Sequence, residues 1–142
     1  MKIKLMKLLR RKYLLWKYKH NWNSGKLIVL KEGDRQYGLT YMMIKDCLQN
    51  GYVLFINNEL SKRCLAQKMH EYGKLGIVPL VSECDAYDNY LLSTRDIYCR
   101  RHIGRYDLKL LIDNSCWYDD VKCLHNEGIE IVNGFMYIPI AR

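Results

Sequence analysis

Short apolar runs alternate with longer stretches of helical periodicity along most of the chain, and this alternation limits the fold more than any other feature. Strands are expected over residues 26–30, 52–57, 76–81 and 108–112. Helices are expected over 40–50, 59–72, 93–103 and 116–126. The punctuation agrees: Asn50-Gly51, Gly73 and Gly128 stand at helix ends, Asn57 or Asn58 can cap the second helix, and Ser93 or Thr94 the third. A polar loop is expected over 82–89. The tail, with Asn133-Gly134 between two apolar runs, reads as a β-hairpin. Strands separated by helices pair through crossovers, so the expectation is an α/β fold: a mostly parallel sheet, helices on both faces, and the C-terminal hairpin as an antiparallel edge. At 142 residues and 49% hydrophobic content, one domain with a real core is expected. It would span 26–142, behind a basic helical arm over 1–25.

In a parallel sheet, ligands bind beyond the carboxyl ends of the strands. Two candidate elements fall there. The first is the run Gly33, Asp34, Arg35, Gln36, Tyr37, Gly38, Leu39, Thr40, which follows the first strand and opens a helix. A phosphate-binding loop requires Gly, four residues, Gly, Lys, then Ser or Thr. Both glycines and the Thr stand at these offsets, while Leu39 takes the lysine position. Backbone N–H groups of such a loop point at phosphates, helped by the positive helix end, and Thr40 offers a hydroxyl to Mg²⁺. Arg35 or Lys31 could supply the missing cation. The second element is Asp113, at the tip of the fourth strand, where a carboxylate can face magnesium-bound water. Asn114 follows it where hydrolysis needs a carboxylate, and an amide orients water without taking its proton. No catalytic residue is therefore assigned. An active enzyme would have to recruit Asp119 or Asp120.

Charge is segregated. Residues 1–31 hold ten cations and no acid, leaving thirteen cations against fifteen acids in the remainder, so the net charge of +8 belongs to the arm. Such an arm suits nucleic acid, an anionic membrane face or an acidic partner. For nucleic acid the candidate contacts are Lys7, Arg10, Arg11, Lys12, Lys17 and Lys19, with Trp16, Tyr18 and Trp22 interleaved as stacking platforms. A second cluster is Arg100, Arg101 and Arg105. The six cysteines form no C-x-x-C pair, and Cys99-x-x-His102 and Cys123-x-His125 are isolated, so buried thiols are expected rather than zinc. No apolar run approaches the ~20 residues of a membrane span, and no secretory signal is evident. A cytoplasmic protein is expected.

The order of these elements resembles the P-loop NTPases of the helicase and viral terminase branch. The loop ending Gly38-Leu39-Thr40 is similar to the Arg-Gln-x-Gly-Lys-Thr loop of phage packaging motors. Residues 53–65 (VLFINNELSKRCL) resemble motif Ia, and 91–114 (LLSTRDIYCRRHIGRYDLKLLIDN) the run from motif Ib into the Asp-Glu motif. The resemblance implies ATP and Mg²⁺ as ligands, and nucleic acid facing the basic cluster near Arg100. Packaging motors with a displaced lysine keep Lys31 and Arg35 open as replacements. With Leu39 and Asn114 in the two charged positions, the expectation is a small degenerate P-loop protein of phage or mobile-element origin. It would bind nucleic acid or a protein partner with weak or no hydrolysis. The alternatives are an active ATPase with a displaced cation, and a phage-encoded inhibitor of a host nucleoprotein defence system working in the host cytosol.

Overall fold

The computed structural model describes residues 2–31, 33–34, 38–79, 84–100 and 108–138. The elements run α1 (Lys2–His20), β1 (Ile28–Val29), α2 (Leu39–Asn50), β2 (Val53–Ile56), α3 (Glu59–Lys74), a 3-10 segment (Cys84–Tyr90), β3 (Leu91–Ser93), α4 (Thr94–Tyr98), β4 (Lys109–Ile112), α5 (Tyr118–Asn126) and β5 (Glu130–Met136). The five strands form one sheet in the order β1-β5-β4-β2-β3, and every pair in it is parallel. The α/β class with helices on both faces is thus what the chain forms.

Side-chain alternation along the strands builds two cores. Leu54, Ile56, Leu111 and Phe135 face one layer, packed under α1, α2, α3 and the 3-10 segment. Val53, Phe55, Leu110 and Ile112 face the other, under α4 and α5. Central strands buried on both faces read as continuous apolar runs, as β2 and β4 do. Local chemistry sets the helix ends. Gly51 takes φ +76 after α2 and its N–H closes on Cys47 O. Asn58 accepts from Ser61 N at the start of α3. Ser93 and Asp96 form a reciprocal capping box on α4.

Two expectations are corrected. The C-terminal hairpin does not exist: 130–136 is one strand, inserted between β1 and β4 and parallel to both. Asn133 and Gly134 pair in the ladder just after a bulge instead of making a turn. Leu110 pairs with Ile131 and Leu111 with Asn133, leaving Val132 as the extra residue. Asn133 Nδ2 donates to Tyr18 O at 2.8 Å, and its Oδ1 accepts from Asn21 Nδ2 at 2.9 Å and from Gly134 N at 2.9 Å. Gly134 sits at φ +135, where an added Cβ would lie 2.5 Å from the backbone N and O of Ile112. Only glycine lets β4 and β5 approach this closely.

The third strand is also displaced. Residues 76–79 turn rather than extend, with Gly76 at φ +76 and Pro79 unable to donate to a ladder. The remainder of that expected strand lies outside the described residues. The sheet edge is instead made by Leu91–Ser93, and the expected loop before it contains the 3-10 segment from residue 84. The third helix ends at Tyr98, with Cys99 as its cap.

The N-terminal helix is packed on the sheet over its second half. Leu14 and Tyr18 are buried, and Tyr18 stacks on Phe135 with ring centroids 5.7 Å apart. The Tyr18 hydroxyl donates to Asp46 at 2.7 Å. Burial, chiefly, pushes that phenol well above its usual pKa. The first turns differ, since Lys4 through Leu9 are all exposed.

Candidate functional site

Because all strands run the same way, their carboxyl ends gather at one rim, and the loop after β1 meets the loop after β4 there. Thr40, in the first turn of α2, donates its hydroxyl to Asp113 Oδ1 at 2.7 Å; Asn114 Oδ1 lies 3.0 Å from the same oxygen. Seventy-three residues separate Thr40 from Asp113, so the contact is set by sheet topology and not by local sequence. Around it opens a cleft of ≈ 560 Å³, walled by Gly38 at the cap of α2, Thr40 and Tyr41 from its first turn, Ser61, Cys64, Leu65 and Lys68 from α3, and Asp113 and Ser115 beyond β4.

The entrance to α2 suits an anion. Gly38 caps the helix at φ +70, no side chain among the described residues satisfies its first-turn N–H groups, and that turn contains no acid. Asp113 is buried. Burial raises its pKa; the nearby Ser115 hydroxyl, the Thr40 hydroxyl and backbone N–H groups pull it back. Ser115 N donates to Asp113 Oδ2 at 3.1 Å. The Ser115 Oγ stands near without bonding geometry and is buried with no hydrogen-bond partner among the described residues. Tyr41 is pushed up to about 12, first by its hydrogen bond with Tyr72 and then by burial.

The loop residues separate in their roles. Gly33 takes φ +92 inside a turn where Asp34 N donates to Lys31 O at 3.1 Å and Lys31 N donates to Asp34 Oδ2 at 2.7 Å. Asp34 is buried against Arg10, whose Nε and Nη2 reach its two carboxylate oxygens at 3.3 and 3.0 Å. Arg10 is thereby engaged inside the fold. Arg35, Gln36 and Tyr37 lie outside the described residues. Leu39 backs the cleft wall, but its side chain is fully buried in the core with Met43 and Ile44. The lysine position therefore serves packing here. Lys31 is exposed and does not line the cleft.

Asp119 is exposed, and Asp120 accepts from Trp117 N at 2.8 Å as the cap of α5. The aromatic trio of the arm also divides. Tyr18 and Trp22 join the core, Trp22 stacking on Tyr52, while Trp16 is exposed. Lys7, Arg11, Lys12 and Lys19 are exposed and Lys17 is half-buried. Arg100 is exposed at φ +57; Arg101 and Arg105 lie outside the described residues. Of the described cysteines, Cys47 and Cys116 are buried but Cys64 and Cys99 are exposed, so the buried-thiol expectation holds only in part. No group of three or more His, Cys, Asp or Glu that could hold a metal occurs among the described residues.

Lys68 went unread in the sequence, yet it is the one cation lining the cleft among the described residues. Ser61, Leu65 and Lys68 recur at helical spacing, which puts them on one face of α3. That pattern was visible; which way the face would point was not. Comparison with protein-family models, with curated proteins and with solved structures gives no match.

Proposed function

We propose that the cleft holds the phosphates of a magnesium nucleotide, and that the protein is a degenerate P-loop module that binds without turnover. The observation that carries this reading is the Thr40–Asp113 hydrogen bond at the head of a helix whose cap is a glycine. Topology lends support: the loop-bearing β1 and the acid-bearing β4 run parallel with one strand, β5, between them, so both present their carboxyl ends at one rim. The donor set fits a hard cation, since a hydroxyl and a carboxylate stand together and Mg²⁺ takes its remaining ligands from water and phosphate. Thr40 and Asp113 would hold the ion, which when bound supplies charge to offset the outer phosphates.

The chain's own groups do the rest. First-turn N–H groups of α2 face the phosphates, and the Lys68 ammonium, on its flexible stem, replaces the charge that Leu39 cannot offer. The unpartnered Ser115 hydroxyl gains an acceptor. Asn114 has its amide oxygen beside Thr40 and cannot accept a proton from water, so attack on the terminal phosphate lacks its base. A module of this kind acts through what it binds next, in the cytosol of a cell or of a phage-infected host.

Calorimetry with ATP and ADP in Mg²⁺ tests the reading. Thr40→Val and Lys68→Ala are expected to lower affinity at least tenfold, Lys68→Arg to retain most of it, and no phosphate to be released. A flat titration with both nucleotides sinks it. Wild-type phosphate release abolished by Arg35→Ala or Lys31→Ala would instead make the protein an ATPase with a displaced cation.

A further inference from the structure

The surface of α1 carries a feature that the cleft does not explain. Leu14 and Tyr18 face the sheet, while Leu5, Leu9, Tyr13 and Trp16 recur on the opposite side of the helix, and all four are exposed. Met6 and Leu8 widen this stripe at the end that stands clear of the fold. Six of the large exposed apolar side chains of the described residues thus sit on one nineteen-residue helix. Lysine and arginine stand around the stripe and, at Lys12, within it, and the helix contains no acid. The guanidinium of Arg10 and the ammonium of Lys17 lie 5.4 and 5.6 Å from the Tyr13 ring centroid.

We infer that this outer face of α1 docks in the plane of an anionic lipid bilayer surface, with Leu5, Leu9 and Trp16 entering the headgroup–acyl boundary and the lysines meeting lipid phosphates. Three other occupants fit less well. A second copy would set one acid-free cationic helix against another. Nucleic acid would leave the aliphatic centre of the stripe without stacking or hydrogen-bonding work. An acidic protein face would meet flanks dominated by lysine, the residue protein interfaces tend to exclude. A bilayer accepts all the features at once: aliphatic side chains inserted, Trp and Tyr at headgroup level, and Lys stems laid along apolar surface with charged heads in water. No helix among the described residues is long and apolar enough to cross a membrane, so the attachment is to the surface.

The test is co-sedimentation of the full chain with phosphatidylcholine vesicles, with and without 30% phosphatidylserine (~30 mol%, a strongly anionic surface), alongside tryptophan emission. Binding is expected at least tenfold tighter to the anionic vesicles, weakened by salt, with a blue shift. Leu5→Gln with Leu9→Gln leaves every charge in place and should lower binding at least tenfold. Trp16→Phe should remove most of the shift, which excludes Trp22 and Trp117 as its source. All three positions are exposed, and circular dichroism checks that the variants fold. No anionic preference, or binding unchanged by the Leu5/Leu9 pair, overturns the inference. So does tighter association with single-stranded nucleic acid that displaces vesicles, or a dimer in solution that the pair dissolves. Thr40→Val should leave vesicle binding intact, so this inference and the nucleotide reading stand or fall separately.

Discussion

Removing the Arg10 side chain should cost more than its place on a surface helix suggests. Its guanidinium grips Asp34 with two hydrogen bonds, and the two side chains are 24% and 4% exposed. An exposed ion pair contributes about 0–1 kcal/mol, whereas breaking a buried one costs about 3–5 kcal/mol because a charge is left stranded. Arg10→Ala falls between these limits. Asp34 keeps the Lys31 N–H at 2.7 Å, and water can enter where the half-exposed arginine stood. The expected loss is about 2–3 kcal/mol, and with a urea m-value of ~2 kcal/mol/M the midpoint falls by about 1–1.5 M. Adding Asp34→Asn removes the stranded charge, so the double variant should recover about 1 kcal/mol over Arg10→Ala. Urea denaturation followed by far-UV circular dichroism measures all four corners of the cycle. Two results refute the reasoning. A loss under ~0.5 kcal/mol would mean the pair behaves as an exposed one. A double variant no better than the single would assign the loss to packing on Tyr13.

Two further outcomes follow from the interior. Gly134→Ala must place a Cβ 2.5 Å from the Ile112 backbone at φ +135; displacing two central strands should cost more than about 4 kcal/mol. Gly33→Ala, with none of the described residues within 4 Å of the added Cβ, should cost only about 1–2 kcal/mol; near-equal losses in thermal denaturation would contradict the close approach. Asp113→Asn gives a pH signature. The folded pKa of Asp113 is raised, mainly by burial, above its ordinary value of 3.8, so the carboxyl's stabilising contribution is complete below that value and is lost as pH rises through the folded pKa. The variant's stability relative to wild type should therefore climb above pH ~4 and then level off. A difference that stays flat between pH ~3.5 and ~8 would remove the buried carboxylate from the account.

Where short-range chemistry decides, the sequence was a sound guide. The end of α2, the start of α3 and the cap of α4 follow from Gly51, Asn58 and Ser93, whereas Gly73, expected to close α3, lies inside it and Leu75 is the cap; the apolar runs of β2 and β4 mark the centre of the sheet. Thr40 and Asp113 were paired from their positions after strands, and parallel topology brings them together. Three failures share one cause. Asn133-Gly134 has the composition of a tight turn, but its partners are Tyr18 and Ile112, far away in the chain. Leu39 occupies a ligand-facing slot by spacing, and the core claims it. Lys68 was invisible because nothing local to α3 says that its face borders the loop after β1.

The strand order also dictates when the molecule can be finished. β1 has one neighbour in the sheet, β5, and about a hundred residues are synthesised between the two. At roughly 5–20 residues per second, the first strand emerges from the ribosome about 5–20 s before the strand it must pair with. During that interval its backbone has no ladder to join, and the core cluster of Ile28 and Leu30 still lacks Val132, Phe135 and Tyr137. Completion of this sheet is thus a late event of synthesis, and nascent chains stalled before residue 130 should be the most dependent on chaperones.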